Sequence, residues 1–473
     1  MSRALALVAV LALLPGCAGN QFAQSLAQTN QDTAAITHGE LQLATTGAAR
    51  GAMAARAAEI LQQPLSANDA IQLALQNNPA WQALLAEHWS DAAQAAQAGR
   101  IANPLFGLTR VTSGNALDFE RSLSFGLLDL LQLPQRQQMA QQRLAQAQLG
   151  LSAQVLEQVT LVRQAWVRAV AAQQSLAYAR QVFDSAEASA ELARRLQAAG
   201  NFSKLMRARQ HAYYADAATG LALAQQDVTA TREALVRALG LTQSQAEQMQ
   251  LPSRLPDLPA MPRTPDEVAA SAGSNRLDLR MAQAALAAAV KAQGLNWPAS
   301  LMDIELGVRR DTHFANDGSV PNRSSGHGFE FNLRLPLFDS GNLRRDAMNA
   351  QTLAQASRLE ALTRSAGSSL RESYSAYRSS YDIARHYRQE IVPLRKTILD
   401  ENVLRYNGML SNVFELLSDA RAQVNSVLAT INAEQQFWLM DAALQANILG
   451  QPVMAGAMNS RSMQDSGGND GGH

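Results

Sequence analysis

Phe329-Glu330-Phe331-Asn332-Leu333-Arg334-Leu335-Pro336-Leu337 alternates apolar with polar residues at every step across the stretch 329–338. A run of this kind makes a strand of about ten residues with one apolar and one polar face. The stretch 301–309 does the same, with Met302, Ile304, Leu306 and Val308 set against Asp303, Glu305, Gly307 and Arg309. Such strands suit a barrel wall with lipid on one side and water on the other. A half-buried strand of a soluble sandwich has the same pattern when taken singly. An earlier strand pair covers 104–113 and 121–133, with Ser113-Gly114-Asn115 as a turn-rich loop between. Four strands neither close a barrel nor build a soluble β-domain of ordinary size, so several chains must contribute, and three chains give twelve strands.

Each strand pair opens a very long Ala/Gln-rich helical stretch, and each stretch carries the same punctuation, L-x-x-x-G-x-x-S. The first copy has Leu196, Gly200 and Ser203; the second has Leu404, Gly408 and Ser411. Both copies end on a Leu-Gly pair, Leu239-Gly240 and Leu449-Gly450. The chain is therefore a duplication. Residues 134–197 lack Gly and Pro between Gly150 and Gly200, and a helix of that length reaches ~96 Å. Val155, Val159, Val162, Trp166 and Val170 recur at steps of three and four, the spacing of a packed seam. The second long helix, about 341–406, has Pro393 as its kink. Return helices run over 203–250 and 411–449, where Gly200 and Gly408 supply the positive φ of a helix reversal.

The domain plan that follows has a signal peptide over 1–16, a lead segment over 17–64, a first repeat over 65–250 and a second over 266–450. A stiff linker with five prolines, 251–265, joins the repeats, and the Gly/Ser/Asp-rich tail 451–473 reads as disordered. At the front of the first repeat, Ser66 or Asn68 caps a helix that Asn77-Asn78-Pro79 breaks.

The chain has 40 Lys+Arg against 40 Asp+Glu, a balance that argues against a nucleic-acid partner. Aromatic residues are 5 % against 47 % hydrophobic, so Ala and Leu carry the packing, as in long helices laid side by side. Arg3 followed by the apolar run 4–14 is a secretion signal too short to span a membrane comfortably. Leu14-Pro15-Gly16-Cys17 resembles a bacterial lipobox, with Pro15 an uncommon occupant, and Cys17 is the sole cysteine. A mature Cys17 carrying two or more acyl chains would be durably anchored. The plain alternative is a stray cysteine in an ordinary signal peptide. The seven histidines are scattered and form no metal or catalytic motif, so the expectation is a protein that is not an enzyme and has no cofactor beyond that lipid.

The order of these parts resembles the TolC-like outer-membrane efflux proteins. The resemblance covers 65–450 and rests on Leu73-Ala74-Leu75-Gln76-Asn77-Asn78-Pro79, Leu333-Arg334-Leu335-Pro336-Leu337-Phe338-Asp339-Ser340-Gly341 and Tyr406-Asn407-Gly408. It departs from the family at Leu131-Gln132-Leu133-Pro134, where an L-F-D-x-G type of strand end is usual. It implies a mainly α chain with a transmembrane β-barrel portion. Three chains would form a barrel-topped channel-tunnel with long antiparallel coiled-coil helices. The implied partners are a periplasmic adaptor, an inner-membrane pump and outer-membrane lipid, with the protein lipid-anchored in a Gram-negative outer membrane. Ala18 after the cysteine resembles lipoproteins sorted there.

The resemblance also implies residue roles. Glu415 and Asp419, four apart on one face of the return helix, match acidic residues that narrow the periplasmic end; the plain alternative is two solvated carboxylates. Arg405 and Arg421 are candidates to tie such carboxylates to neighbouring helices. The turns at Gly200, Ser203, Gly408 and Ser411 match the tip that an adaptor grips. The function implied is a passive exit duct of a tripartite efflux system. A duct for type I protein secretion and a structural spacer lipoprotein stay as alternatives, although a spacer has no use for amphipathic strands. Tyr406-Asn407-Gly408-Met409-Leu410 resembles members linked to heavy-metal resistance, against drugs as the other cargo class.

Overall fold

A computed structural model describes residues 18–37, 41–114, 116–127, 130, 132–273, 276–299, 303–316, 321–334 and 341–451. Cys17 with its signal segment, the strand end over 335–340 and the tail beyond residue 451 lie outside the described residues. The helices are α1 (Ala18–Thr37), α2 (Gly47–Ile60), α3 (Ala67–Asn77), α4 (Pro79–Ala98), α5 (Leu133–Ala198), α6 (Lys204–Leu239), α7 (Gln243–Gln248), α8 (Pro265–Ala272), α9 (Leu277–Ala299), α10 (Asn342–His386), α11 (Val392–Asn407) and α12 (Val413–Ile448). Two compact units emerge: Met1–Ala27 with Glu87–Leu151 and Leu279–Thr363, and Gln28–Ala86 with Ser152–Asp278 and Arg364–His473.

The first unit holds an antiparallel sheet of β1 (Leu105–Ser113), β2 (Ala116–Gly126), β3 (Asp303–Asn316) and β4 (Pro321–Arg334), in that order. Gly114 has φ 56° between β1 and β2, the left-handed geometry that matches a tight hairpin to strand twist. Two strand expectations need correction. The strand expected over 121–133 occupies Ala116–Gly126, and Pro134 sits in the first turn of α5, where its missing N–H has no helical partner to lose. The second pair, whose residues 301 and 302 lie outside the described residues, extends further towards its hairpin than expected, to Asn316 and back from Pro321, through 310–316 and 321–328. Those stretches are rich in Arg, Thr, Ser and Gly and break the apolar alternation. Continuous pairing from Asp303↔Arg334 to Asn316↔Pro321 holds them extended.

The second unit is a helical body. The expected seam of α5 is buried, with Val155, Val159, Val162, Trp166 and Val170 at most 2 % exposed. Each such side chain is worth roughly 1.5–3 kcal/mol on burial. Trp166 Nε1 donates to the Leu65 carbonyl at 2.7 Å, so the seam also fixes the start of the first repeat. Ser66, not Asn68, caps α3, in a reciprocal capping box with Asp69.

The proline-rich linker does not run free. Trp438 Nε1 donates to the Pro256 carbonyl (3.1 Å), Tyr381 Oη to that of Pro259 (3.0 Å), and the Arg263 N–H donates to Tyr377 Oη (3.1 Å). Tyr377 and Tyr381 pack on Phe437, which is fully buried. Pro393, the expected kink, stands at the start of α11. Just before it the helix widens into a π turn over Tyr387–Ile391, where the Val392 N–H reaches back to the Tyr387 carbonyl.

The duplication is visible in how the repeats close. Gly240 (φ 65°) ends α6 against the α3–α4 break; a Cβ there would stand 2.6 Å from Asn78 Cα. Gly450 (φ 91°) follows α12 against the start of α9; a Cβ there would stand 2.8 Å from the Asp278 N. Asn77 and Asn78 donate to the Gly240 and Ala238 carbonyls, and Arg276 to that of Asn447. Each Leu-Gly pair is thus a left-handed stop whose missing Cβ lets another segment pack directly against it.

Candidate functional site

Two features carry the candidate chemistry: the faces of the sheet and the helix turns. Directly paired residues of neighbouring strands share a face. Phe106, Leu123, Val308 and Phe329 make one row across all four strands, and they are 64, 43, 50 and 92 % exposed. Phe125, Leu306 and Phe331 make the next row. The other face holds Asp118, Glu120, Glu305, Asp311 and Glu330. There Arg309 pairs with Glu120 (3.4 Å) and Asp311 (3.0 Å), and His313 meets Asp118. One side of the sheet gathers the charged pairs, with exposed Leu105 and Val111 of β1 beside them, and the other carries the continuous rows of uncovered apolar side chains.

At the first turn, Gly200 (φ 80°) reverses the chain, and the Asn201 N–H bonds the Leu196 carbonyl at 2.9 Å, closing α5 as a Schellman motif. Ser203 caps α6 by accepting the Met206 N–H at 3.2 Å.

The second turn is built one residue later than the repeated motif implies. Gly408 has φ −82°, so the positive φ expected there falls instead on Met409, at 60°. The Leu410 N–H bonds the Arg405 carbonyl (2.8 Å), and the cap of α12 is Asn412, which accepts the Glu415 N–H at 3.0 Å. The structural counterparts of Gly200 and Ser203 are therefore Met409 and Asn412, not Gly408 and Ser411. Asn412 followed three residues later by Glu415 is a capping pattern that the sequence already carries.

Displaced from the cap, Ser411 has another partner. Its Oγ donates to Asn402 Oδ1 (2.7 Å), and Asn402 Nδ2 donates to Asp419 Oδ2 (2.6 Å). Asn402 is 5 % exposed, and no pattern in the sequence marks it. The two candidate carboxylates thus differ. Asp419 is held against α11, whereas Glu415 is exposed in the first turn of α12, where the helix dipole favours a negative charge. Arg421 pairs with neither: its guanidinium lies 3.8 Å above the Tyr213 ring and donates to Gln210 Oε1 at 2.8 Å. Arg405 is exposed. Around the second turn Leu404, Met409 and Leu410 are 64, 93 and 74 % exposed, an apolar tip open to a partner.

No protein-family model matches the chain, and no curated protein sequence does so. Solved structures do match its fold. The outer membrane protein VceC from Vibrio cholerae is 17 % identical, matched over 84 % of this chain and 96 % of that one with a TM-score of 0.66. A membrane protein from Pseudomonas aeruginosa is 20 % identical, over 83 % and 93 %, at 0.65. The open state of the MtrE outer membrane channel from Neisseria gonorrhoeae is 17 % identical, over 84 % and 89 %, at 0.62. The chain has the fold of the TolC-like outer-membrane channel proteins, the family its sequence resembles.

Proposed function

We propose that this protein is the outer-membrane exit duct of a tripartite efflux system. Three copies close a twelve-stranded barrel, and the helices form a periplasmic tunnel that conducts cargo passively. The observation that carries the reading is the two-faced sheet: uncovered Phe106, Leu123, Val308 and Phe329 meet lipid, and Arg309, Glu120 and Asp311 line water. In this reading Cys17 bears the lipid anchor. The turns at Gly200, Ser203, Gly408 and Ser411 meet the adaptor, with Leu404, Met409 and Leu410 as its apolar contact. Glu415 and Asp419 ring the periplasmic end, where like charges converging from three chains favour cations in the constriction.

Single nitroxide labels at Phe329→Cys and Glu330→Cys in vesicle-embedded protein test the barrel. Oxygen, which partitions into lipid, is expected to relax the label at 329 more, and a water-soluble nickel complex the label at 330. Equal accessibility of both to the nickel complex would contradict it.

A further inference from the structure

The uncovered face of the sheet is not apolar throughout. Next to the row of Phe106, Leu123, Val308 and Phe329, towards the hairpin ends, register sets Leu108, Arg121, Arg310 and His327 side by side. Arg110 falls in the following row and Arg323 in the one after it, again on this face. All five side chains, four arginines and one histidine, are exposed. Two of them rest on rings of the same face: Arg121 lies 5.1 Å from the Phe119 centroid and Arg323 lies 5.5 Å from that of Phe314.

The carboxylates are sorted the opposite way. Among the described strand side chains, Asp118, Glu120, Glu305, Asp311 and Glu330 all fall on the other face. Arg309 and His313 share that face, and there they meet their carboxylates. Among the described residues, the basic side chains on the carboxylate face meet acids and those beside the apolar rows do not. Arg121 and Arg310 are a directly opposed cross-strand pair of like charge, which is destabilising by itself. On a lipid-facing wall an arginine is also costly at mid-depth, and much less so near the interface. An arrangement with both penalties and no acid beside it among the described residues calls for an external anion.

We propose that Arg121, Arg310 and His327, flanked by Arg110 and Arg323, form a binding site for the phosphates of an outer-leaflet glycolipid headgroup. This rests on the barrel reading above, which turns the apolar rows towards lipid. The apolar row places acyl chains below the site, and the hairpin ends place it at the outer surface. Two strand spacings put the row from Arg121 to His327 about 10 Å across, wide enough to serve two phosphates of one headgroup. Guanidinium groups suit phosphate because their paired N–H donors match two of its oxygens. A lipid so held would seat neighbouring chains at the barrel rim and relieve the Arg121–Arg310 repulsion.

The test uses full-length detergent-extracted protein, with diphosphorylated lipid A, its fully dephosphorylated form and inorganic phosphate as probes. Diphosphorylated lipid A is expected to raise the melting temperature and the other two are not. The variant Arg121→Gln/Arg310→Gln should bind it about ten-fold more weakly. Arg310→Gln alone, which leaves the ladder and apolar rows intact, should move the same way by less, covering the case where the double variant folds poorly. Equal stabilisation by the dephosphorylated lipid, equal stabilisation by inorganic phosphate, or unchanged affinity in Arg310→Gln would each overturn the proposal. Protein that inserts and conducts yet shows any of these fails only this inference; protein that never inserts fails the barrel reading beneath it.

Discussion

Asn402 Nδ2 donates to Asp419 Oδ2 at 2.6 Å while its Oδ1 accepts from Ser411 Oγ at 2.7 Å, so one buried amide joins the end of α11, the turn and the start of α12. Truncating Asn402 to Ala strands both partners in a partly buried site, at a cost of about 1–3 kcal/mol. The expected result is faster deuterium exchange over 398–416 in the Asn402→Ala variant, with exchange over 155–170 unchanged. Unchanged protection at the turn would show that the network carries no local stability.

Met409 holds φ 60° with its side chain 93 % exposed, a left-handed conformation costing a non-glycine residue about 1–2 kcal/mol. Met409→Gly should therefore stabilise the isolated protein by about 1 kcal/mol and raise its melting temperature. In the proposed role the same change should weaken adaptor binding, because it deletes an exposed apolar contact. A variant that is more stable and binds the adaptor unchanged would remove Met409 from the interface.

Gly240→Ala acts in the opposite sense. The new methyl would meet Asn78 Cα at 2.6 Å, and the backbone already sits at φ 65°, so both sterics and conformation oppose it. A loss of about 2 kcal/mol or more is expected by thermal unfolding. Gly150→Ala is the control, since nothing stands within 4 Å of its added Cβ and the residue lies inside a helix.

Burial pushes the Asp441 carboxyl above its ordinary range, and the charges of Arg263 and Arg163 and a hydrogen bond from Gln445 only partly oppose this. A carboxyl with a raised folded pKa binds its proton more readily when folded, so it lowers stability as pH rises through the window above its unfolded value. Asp441→Asn removes that ionisation. The variant is expected to melt higher than the parent at pH 7, the difference shrinking as pH falls and vanishing below about 3.9. A variant that melts lower at pH 7 would mean that the Arg263 contact, at 4.0 Å, outweighs burial.

Much of the fold was legible because its signals are long or repeated. The α5 seam of Val155, Val159, Val162, Trp166 and Val170 recurs over many turns, and Asn78-Pro79 can only break a helix. The strand ends were less so. Residues 310–316 and 321–328 are extended because each has a partner strand, and pairing across a long sequence separation leaves no local apolar period. The turns show a different limit. The motif at Leu404, Gly408 and Ser411 copies Leu196, Gly200 and Ser203, yet the chain closes the second turn one residue later, on Met409 and Asn412. Cap hydrogen bonds, not motif identity, set that register. Asn402 and the Arg421–Tyr213 stack were invisible beforehand, since both depend on which helix faces run together.

Single-channel recording in planar bilayers, using the full-length protein beside Glu415→Gln and Asp419→Asn, separates a duct from a spacer. A duct predicts steps of one uniform size, with cation preference reduced in the carboxylate variants. Folded protein that incorporates and gives no steps under any voltage or salt condition would contradict it.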